Sequence, residues 1–119
     1  MTADPPTLVV AHRGASAEAA ENSLEAFEKA IQVGSDLIEF DVRRTRDDQL
    51  IAFHDATVGG HLVRQLTRDE IHLQTGITPP LLNDVLDVTT GRVGLDVELK
   101  EDGYTDRVLD AVGKRFEPD

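Results

Sequence analysis

The chain has 119 residues, 23 acidic against 12 basic side chains, a formal charge of −11 and no cysteine. That length allows at most one domain, spanning 1–119, with a modest core. The charge excludes nucleic acid and anionic membrane as partners, and the missing cysteine excludes a disulfide framework, a thiol nucleophile and a cysteine-type zinc site. Residues 1–7 are short and proline-containing, with no basic region leading into an apolar one, and no run reaches membrane-spanning length. A cytoplasmic protein without membrane insertion is the expectation.

In chain order, Leu8 to Ala11 reads as a short buried strand that gives way to His12-Arg13-Gly14. A loop through Ser16 and Glu21 leads to Asn22, read as a helix N-cap with Glu25 as its box partner. Leu24, Phe27 and Ile31 share a helical face, and Gly34 ends the helix. Leu37 to Val42 is a strand whose alternation puts Ile38, Phe40 and Val42 on one face and Glu39 and Asp41 on the other. Two acids turned inward are costly unless neutralised, so this strand asks for a cation beside it.

Asp47-Asp48 marks a turn, and Gln49 to Phe53 reads as the next strand, ending at His54-Asp55. Gly59-Gly60 reads as a flexible loop rather than a phosphate cradle, since no helix start follows at once. Thr67 and Glu70 form a capping box for a short helix, and Pro79-Pro80 precedes another with Leu82, Val85 and Leu86 on one side. Val93 to Leu99 is a strand with Leu95, Val97 and Leu99 facing one way and Asp96, Glu98 and Lys100 the other. Val108, Leu109, Val112 and Phe116 then recur at helical spacing. Strands alternating with helices predict a parallel α/β architecture with right-handed crossovers. Four successive strands deliver His12, Glu39 with Asp41, His54, and Glu98 with Lys100 to their C-terminal ends, where β/α barrels build their active sites.

His12-Arg13-Gly14-Ala15-Ser16, Glu21-Asn22-Ser23-Leu24-Glu25-Ala26-Phe27, Ile38-Glu39-Phe40-Asp41-Val42, His54-Asp55 and Glu98-Leu99-Lys100 together resemble the glycerophosphodiester phosphodiesterase family in order and spacing. The resemblance runs from Leu8 to Lys100, although Ala20-Glu21-Asn22-Ser23 departs from the commoner Pro-Glu-Asn-Thr. It implies a TIM-type (β/α) barrel and metal-dependent hydrolysis of glycerophosphodiesters to glycerol 3-phosphate and an alcohol. It further implies that Glu39, Asp41 and Glu98 hold Ca2+ or Mg2+, that His12 and His54 act as acid and base, and that Arg13 and Lys100 sit near the phosphate.

The residues agree on independent grounds. An anionic diester needs positive charge on its oxygens, which a carboxylate-bound hard cation and two basic side chains supply. Two histidines suit the taking and giving of a proton, in either order. Plainer readings stand beside these. Glu39 and Asp41 could pair with Arg43 or Arg44 at a surface, and Glu98 with Lys100 could be only a cross-strand pair. Asn22 is first a cap, Asp96 an extra acid or polar filler, and His61 and His72 ordinary structural residues.

A whole barrel usually takes roughly 250 residues and eight strands, so the expectation is a half-barrel of the first four βα units. Such a half exposes two strand edges, which predicts a longer enzyme, a homodimer, or a separately encoded second half. The competing reading is a catalytically silent half-barrel serving as a binding or assembly module. A phospholipase D of sphingomyelin type shares the His and Glu-x-Asp layout; its secreted versions lean on disulfides and an export signal, neither of which is read here.

Overall fold

A computed structural model of the chain describes residues 9–14, 21–101 and 103–115. The expectations placed on residues 1–7, Leu8, Ala15, Ser16, Ala20 and Phe116 lie outside the described residues. The elements run β1 (Val10–His12), α1 (Leu24–Gln32), β2 (Leu37–Arg44), β3 (Leu50–Ala52), β4 (Thr57–Val58), β5 (His61–Leu62), a 3-10 turn (Val63–Gln65), α2 (Arg68–Thr75), α3 (Leu82–Thr89), β6 (Gly94–Leu99) and α4 (Thr105–Arg115). No described helix is long and apolar enough to cross a membrane.

β2 is the hub of the sheet. It pairs in parallel with β1, where His12 lies opposite Glu39, and in parallel with β6, where Asp41 lies opposite Glu98. β6 occupies one edge of β2 from Leu37 to Val42. Both β1, at Leu37 to Glu39, and β3, at Val42 to Arg44, must therefore use the other edge. Between them the Phe53 amide bridges that edge, donating to the Asp41 carbonyl at 3.1 Å.

β3 departs from the parallel order expected of it. It runs antiparallel to β2, with Val42 opposite Ala52 and Arg44 opposite Leu50. The cause is the connection: the turn at Asp47-Asp48 closes a hairpin, whereas a parallel return needs a crossover of roughly a dozen residues or more. Among the described residues the parallel strands are thus β1, β2 and β6, and β3 folds back over the end of β2. Gly59 and Gly60, at φ +57° and +82°, make the tight turn of the β4–β5 hairpin, not a loose loop.

The apolar pattern builds the core as read. Ile38, Phe40 and Val42 are fully buried against Phe27 and Ala30 of α1, Leu82, Val85 and Leu86 of α3, and Tyr104 and Val108 at α4. The Phe27 and Phe40 rings meet edge to face at 5.6 Å. Leu109 of α4 is exposed, unlike Val108. Ile51, Val58, Val63, Leu66 and Ile71 form a smaller cluster under the hairpin segment. The capping box of Thr67 and Glu70 opens α2 as expected. The cap of α1 is one residue later than read: Ser23 Oγ accepts from Ala26 N, while Asn22 adopts φ +57° and turns its side chain elsewhere.

Candidate active site

Strand parity delivers the acids. Because alternate residues of β2 face opposite sides, packing Ile38, Phe40 and Val42 on the helices commits Glu39, Asp41 and Arg43 to the other face, and all three are buried there. The parallel register with β6 then sets Glu98 beside Asp41. One carboxylate oxygen from each of Glu39, Asp41 and Glu98 lies within 4.8 Å of the others. Asp96, opposite Glu39, is exposed and stands apart from this trio.

The cations close on the most buried acid. Lys100 Nζ is 2.8 Å from Glu98 and 3.4 Å from Asp41, and Arg13 Nε is 3.6 Å from Asp41. Asn22 donates from Nδ2 to Asp41 Oδ2 at 3.3 Å. His12 Nδ1 lies 3.4 Å from Glu39, its ring largely exposed. The surface pairing of Glu39 and Asp41 with Arg43 or Arg44 is not what forms. Arg43 is buried and its guanidinium donates from Nε and Nη2 to the carbonyl of His54, at 3.2 and 2.8 Å. Arg44 faces Asp48 instead. The Glu98–Lys100 pair does exist, and Lys100 reaches Asp41 as well.

His54 is brought to the same region by the hairpin, since the Phe53 amide bonds the Asp41 carbonyl at 3.1 Å. Its polar contacts are with Asp55, 3.1 Å from Nδ1, and with Arg43 through its carbonyl, rather than with the carboxylate trio. His61 and His72 stay apart, His72 bonded to Thr78.

The electrostatics mark where positive charge belongs. Burial, reinforced by the charge of Asp41 and then by Glu98, raises the Glu39 pKa above the usual carboxylate value, with His12 acting the other way. The Lys100 hydrogen bond lowers that of Glu98, and Glu98 in turn raises Lys100. Asp41 Oδ1 is buried without a hydrogen-bond donor, as is the Arg13 Nε donor without an acceptor. An all-oxygen trio whose Asp41 Oδ1 is buried without a hydrogen bond, with only the Lys100 ammonium beside it at 3.4 Å, fits a hard divalent cation.

Two site neighbours were underread in the sequence. Asn22 has a cap-type side chain, and nothing in the sequence pairs it with Asp41. Arg43 shares the parity of Glu39 and Asp41, which was signal enough for its facing but not for its burial. Arg13 and Asn22 also adopt positive φ, at 56° and 57°, and the Asn22 amide bonds the Arg13 carbonyl at 2.8 Å. Backbone strain of this kind gathers at functional sites.

Fold and site together define one part of a β/α barrel with carboxylates, basic side chains and histidines gathered at its strand ends. The sequence matches the glycerophosphoryl diester phosphodiesterase family over residues 12–107, and the chain belongs to that family. A glycerophosphodiester phosphodiesterase of Caldanaerobacter subterraneus is 44% identical over 77 residues, covering 60% of this chain and 32% of that protein. The crystal structure of the Thermotoga maritima glycerophosphodiester phosphodiesterase superposes with a TM-score of 0.81 at 31% identity, over 95% of this chain and 53% of that one. An Oleispira antarctica phosphodiesterase, solved with the product sn-glycerol-3-phosphate, shares the fold at a TM-score of 0.75 and 23% identity, over 95% of this chain and 54% of that one. The chain spans about half the length of these solved barrels, so its fold is a TIM-type half-barrel.

Proposed function

We propose that residues 1–119 form a single domain that carries the catalytic half of a metal-dependent glycerophosphodiester hydrolase, releasing glycerol 3-phosphate and an alcohol. The observation that carries this reading is the convergence of Glu39, Asp41 and Glu98 with Lys100 and Arg13 drawn onto Asp41. Glu39, Asp41 and Glu98 would hold Ca2+ or Mg2+. Such a cation, when bound, polarises a phosphoryl oxygen and offsets charge that builds there during attack.

The remaining steps belong to the chain. Arg13, with a buried donor still unmatched, and Lys100 would bind and neutralise the phosphate oxygens. A carboxylate beside Nδ1 favours a proton there, and both histidines have one: Glu39 for His12 and Asp55 for His54. Nε2 of each ring is then left for proton transfer. His12 takes a proton from a substrate hydroxyl or water, and His54 gives one to the leaving oxygen; the reverse assignment uses the same atoms. The product seen in the Oleispira antarctica structure is in keeping with this substrate class. The cysteine-free composition suits a cytoplasmic setting.

One observation favours a second reading. Among the described residues β6 pairs only with β2, so its far edge has no partner strand. That favours a half-barrel completed by a second copy or a separately encoded half, or one that serves as a binding or assembly module without turnover. The deciding experiment is glycerophosphocholine hydrolysis by the purified chain with Ca2+ or Mg2+, beside His12→Ala and Glu39→Ala, with the mass of each sample measured in solution. Metal-dependent turnover lost in both variants supports the hydrolase. A folded, inactive wild type supports an incomplete or silent half.

A further inference from the structure

His54 also belongs to a second group of metal-ligating side chains, apart from the carboxylate trio. Glu21, His54 and Asp55 each bring one ligand atom within 4.8 Å of the other two. The His54 Nδ1 to Asp55 Oδ1 distance is 3.1 Å. Bonds of about 2.0 Å in a tetrahedral zinc site put neighbouring ligands roughly 3.3 Å apart, so this pair is already at coordination spacing. The Glu21 and Asp55 side chains are 46% and 67% exposed, so neither is held by packing.

An independent observation points to a ligand. Asn22 is 3% exposed. Its amide nitrogen is committed to Asp41, and its Oδ1 is buried with no hydrogen-bond partner. Asn22 lines the same cavity of about 160 Å³ as Glu21, His54 and Asp55. A buried acceptor oxygen without a donor, on a residue that shares a cavity with two carboxylates and an imidazole, calls for a positive group rather than another acceptor.

The donor chemistry differs from that of the carboxylate trio. Three carboxylates suit a hard cation, whereas an added imidazole nitrogen favours zinc and its neighbours in the transition series. We propose that Glu21, His54 and Asp55, in the cavity that Asn22 also lines, form a second cation site that takes zinc-type ions, and that filling it withdraws His54 from proton transfer. The binding stands by itself; the effect on His54 rests on the hydrolytic reading. Zinc bonds Nδ1 through its lone pair, the proton formerly on Nδ1 passes to solvent if Nε2 already carries one, and the ring no longer cycles between acid and base. Glu21 must leave Arg13, whose Nη1 it now holds at 2.9 Å, so Arg13 and the ion compete.

The test is calorimetric titration of Zn2+ into the full chain saturated with Mg2+, with the histidine ring nitrogens followed by NMR. One zinc per chain is expected, moving the His54 signals and leaving those of His61 and His72 in place. Glu21→Gln and Asp55→Asn should each weaken zinc at least about tenfold, the scale at which even supporting partners of metal ligands act. Arg13→Gln should tighten it, and Glu98→Gln should leave it unchanged. Zinc that follows Glu98→Gln, that Mg2+ displaces, or that ignores Glu21→Gln and Asp55→Asn overturns the site. Zinc binding as described by a chain that does not hydrolyse glycerophosphocholine overturns the hydrolytic reading and leaves the site standing.

Discussion

At the scale of single residues, the site is held by groups that do little elsewhere. Asn22 combines a positive φ with a hydrogen bond to buried Asp41, and the two contributions separate by substitution. Asn22→Gly keeps the backbone relaxed and loses only the hydrogen bond, about 1 kcal/mol. Asn22→Ala adds the left-handed strain of a Cβ, roughly 1–2 kcal/mol more. Urea unfolding should therefore rank wild type above Asn22→Gly above Asn22→Ala; equal losses in both variants would mean that φ is not constrained. Glu39 offers a second case. Its buried charge beside Asp41 is unfavourable without a cation, so Mg2+ or Ca2+ should raise the melting temperature of the wild type and leave Glu39→Gln nearly unmoved. A cation shift of equal size in both would place the ion elsewhere.

At the scale of elements, α2 gives a pH dependence whose sign can be worked out. The backbone hydrogen bond from Thr67 is the largest of the influences that hold the Glu70 carboxyl below its ordinary pKa. An acid depressed in the folded state contributes stability above its unfolded pKa and loses it as pH falls through the folded one. The stability gap between wild type and Glu70→Ala should thus be present at neutral pH, begin to shrink as pH falls below the ordinary glutamate value of about 4.3, and be lost only below the depressed folded pKa. Urea midpoints across that range measure it, and a gap that grows in acid would contradict the cap. The turn after β1 makes a steric prediction. Gly14 has φ +79°, and a Cβ there would meet the Ala26 backbone carbon at 2.7 Å. Gly14→Ala should push β1 and α1 apart, lowering the melting temperature more than Gly34→Ala, where the space is open.

The same scale explains what the sequence did and did not disclose. β2 was legible because period two separates Ile38, Phe40 and Val42 from Glu39 and Asp41 without any knowledge of neighbours. The direction of β3 was not read from its residues, since Leu50 to Ala52 would suit either orientation. The signal lay in the brevity of the link from Arg44 to Leu50, which only an antiparallel return can span. The cap of α1 fell between Asn22 and Ser23, both cap-type residues, and a backbone angle imposed by the fold decided it. The plainer reading that sets Arg43 at a surface fails because its burial depends on the hairpin carrying His54 back over β2.

At the scale of the whole molecule, the far edge of β6 is the open question that a solution measurement addresses. A strand edge without a partner is a template for pairing. Sedimentation should show concentration-dependent association, with the associated form favoured by Ca2+ or Mg2+ if the joined halves improve the carboxylate site. A monomer at every concentration, with or without the cation, would show that the edge is protected.

Tyr104 gives that site an optical tag. It is the single tyrosine in a chain without tryptophan, its ring is buried, and its hydroxyl donates to the Val42 carbonyl at 2.5 Å. Near-ultraviolet emission from the native chain therefore comes almost wholly from one phenol clamped to the strand that bears Glu39 and Asp41. A stopped-flow trace on unlabelled protein would report the seating of that strand, without an engineered dye and with no second fluorophore to subtract.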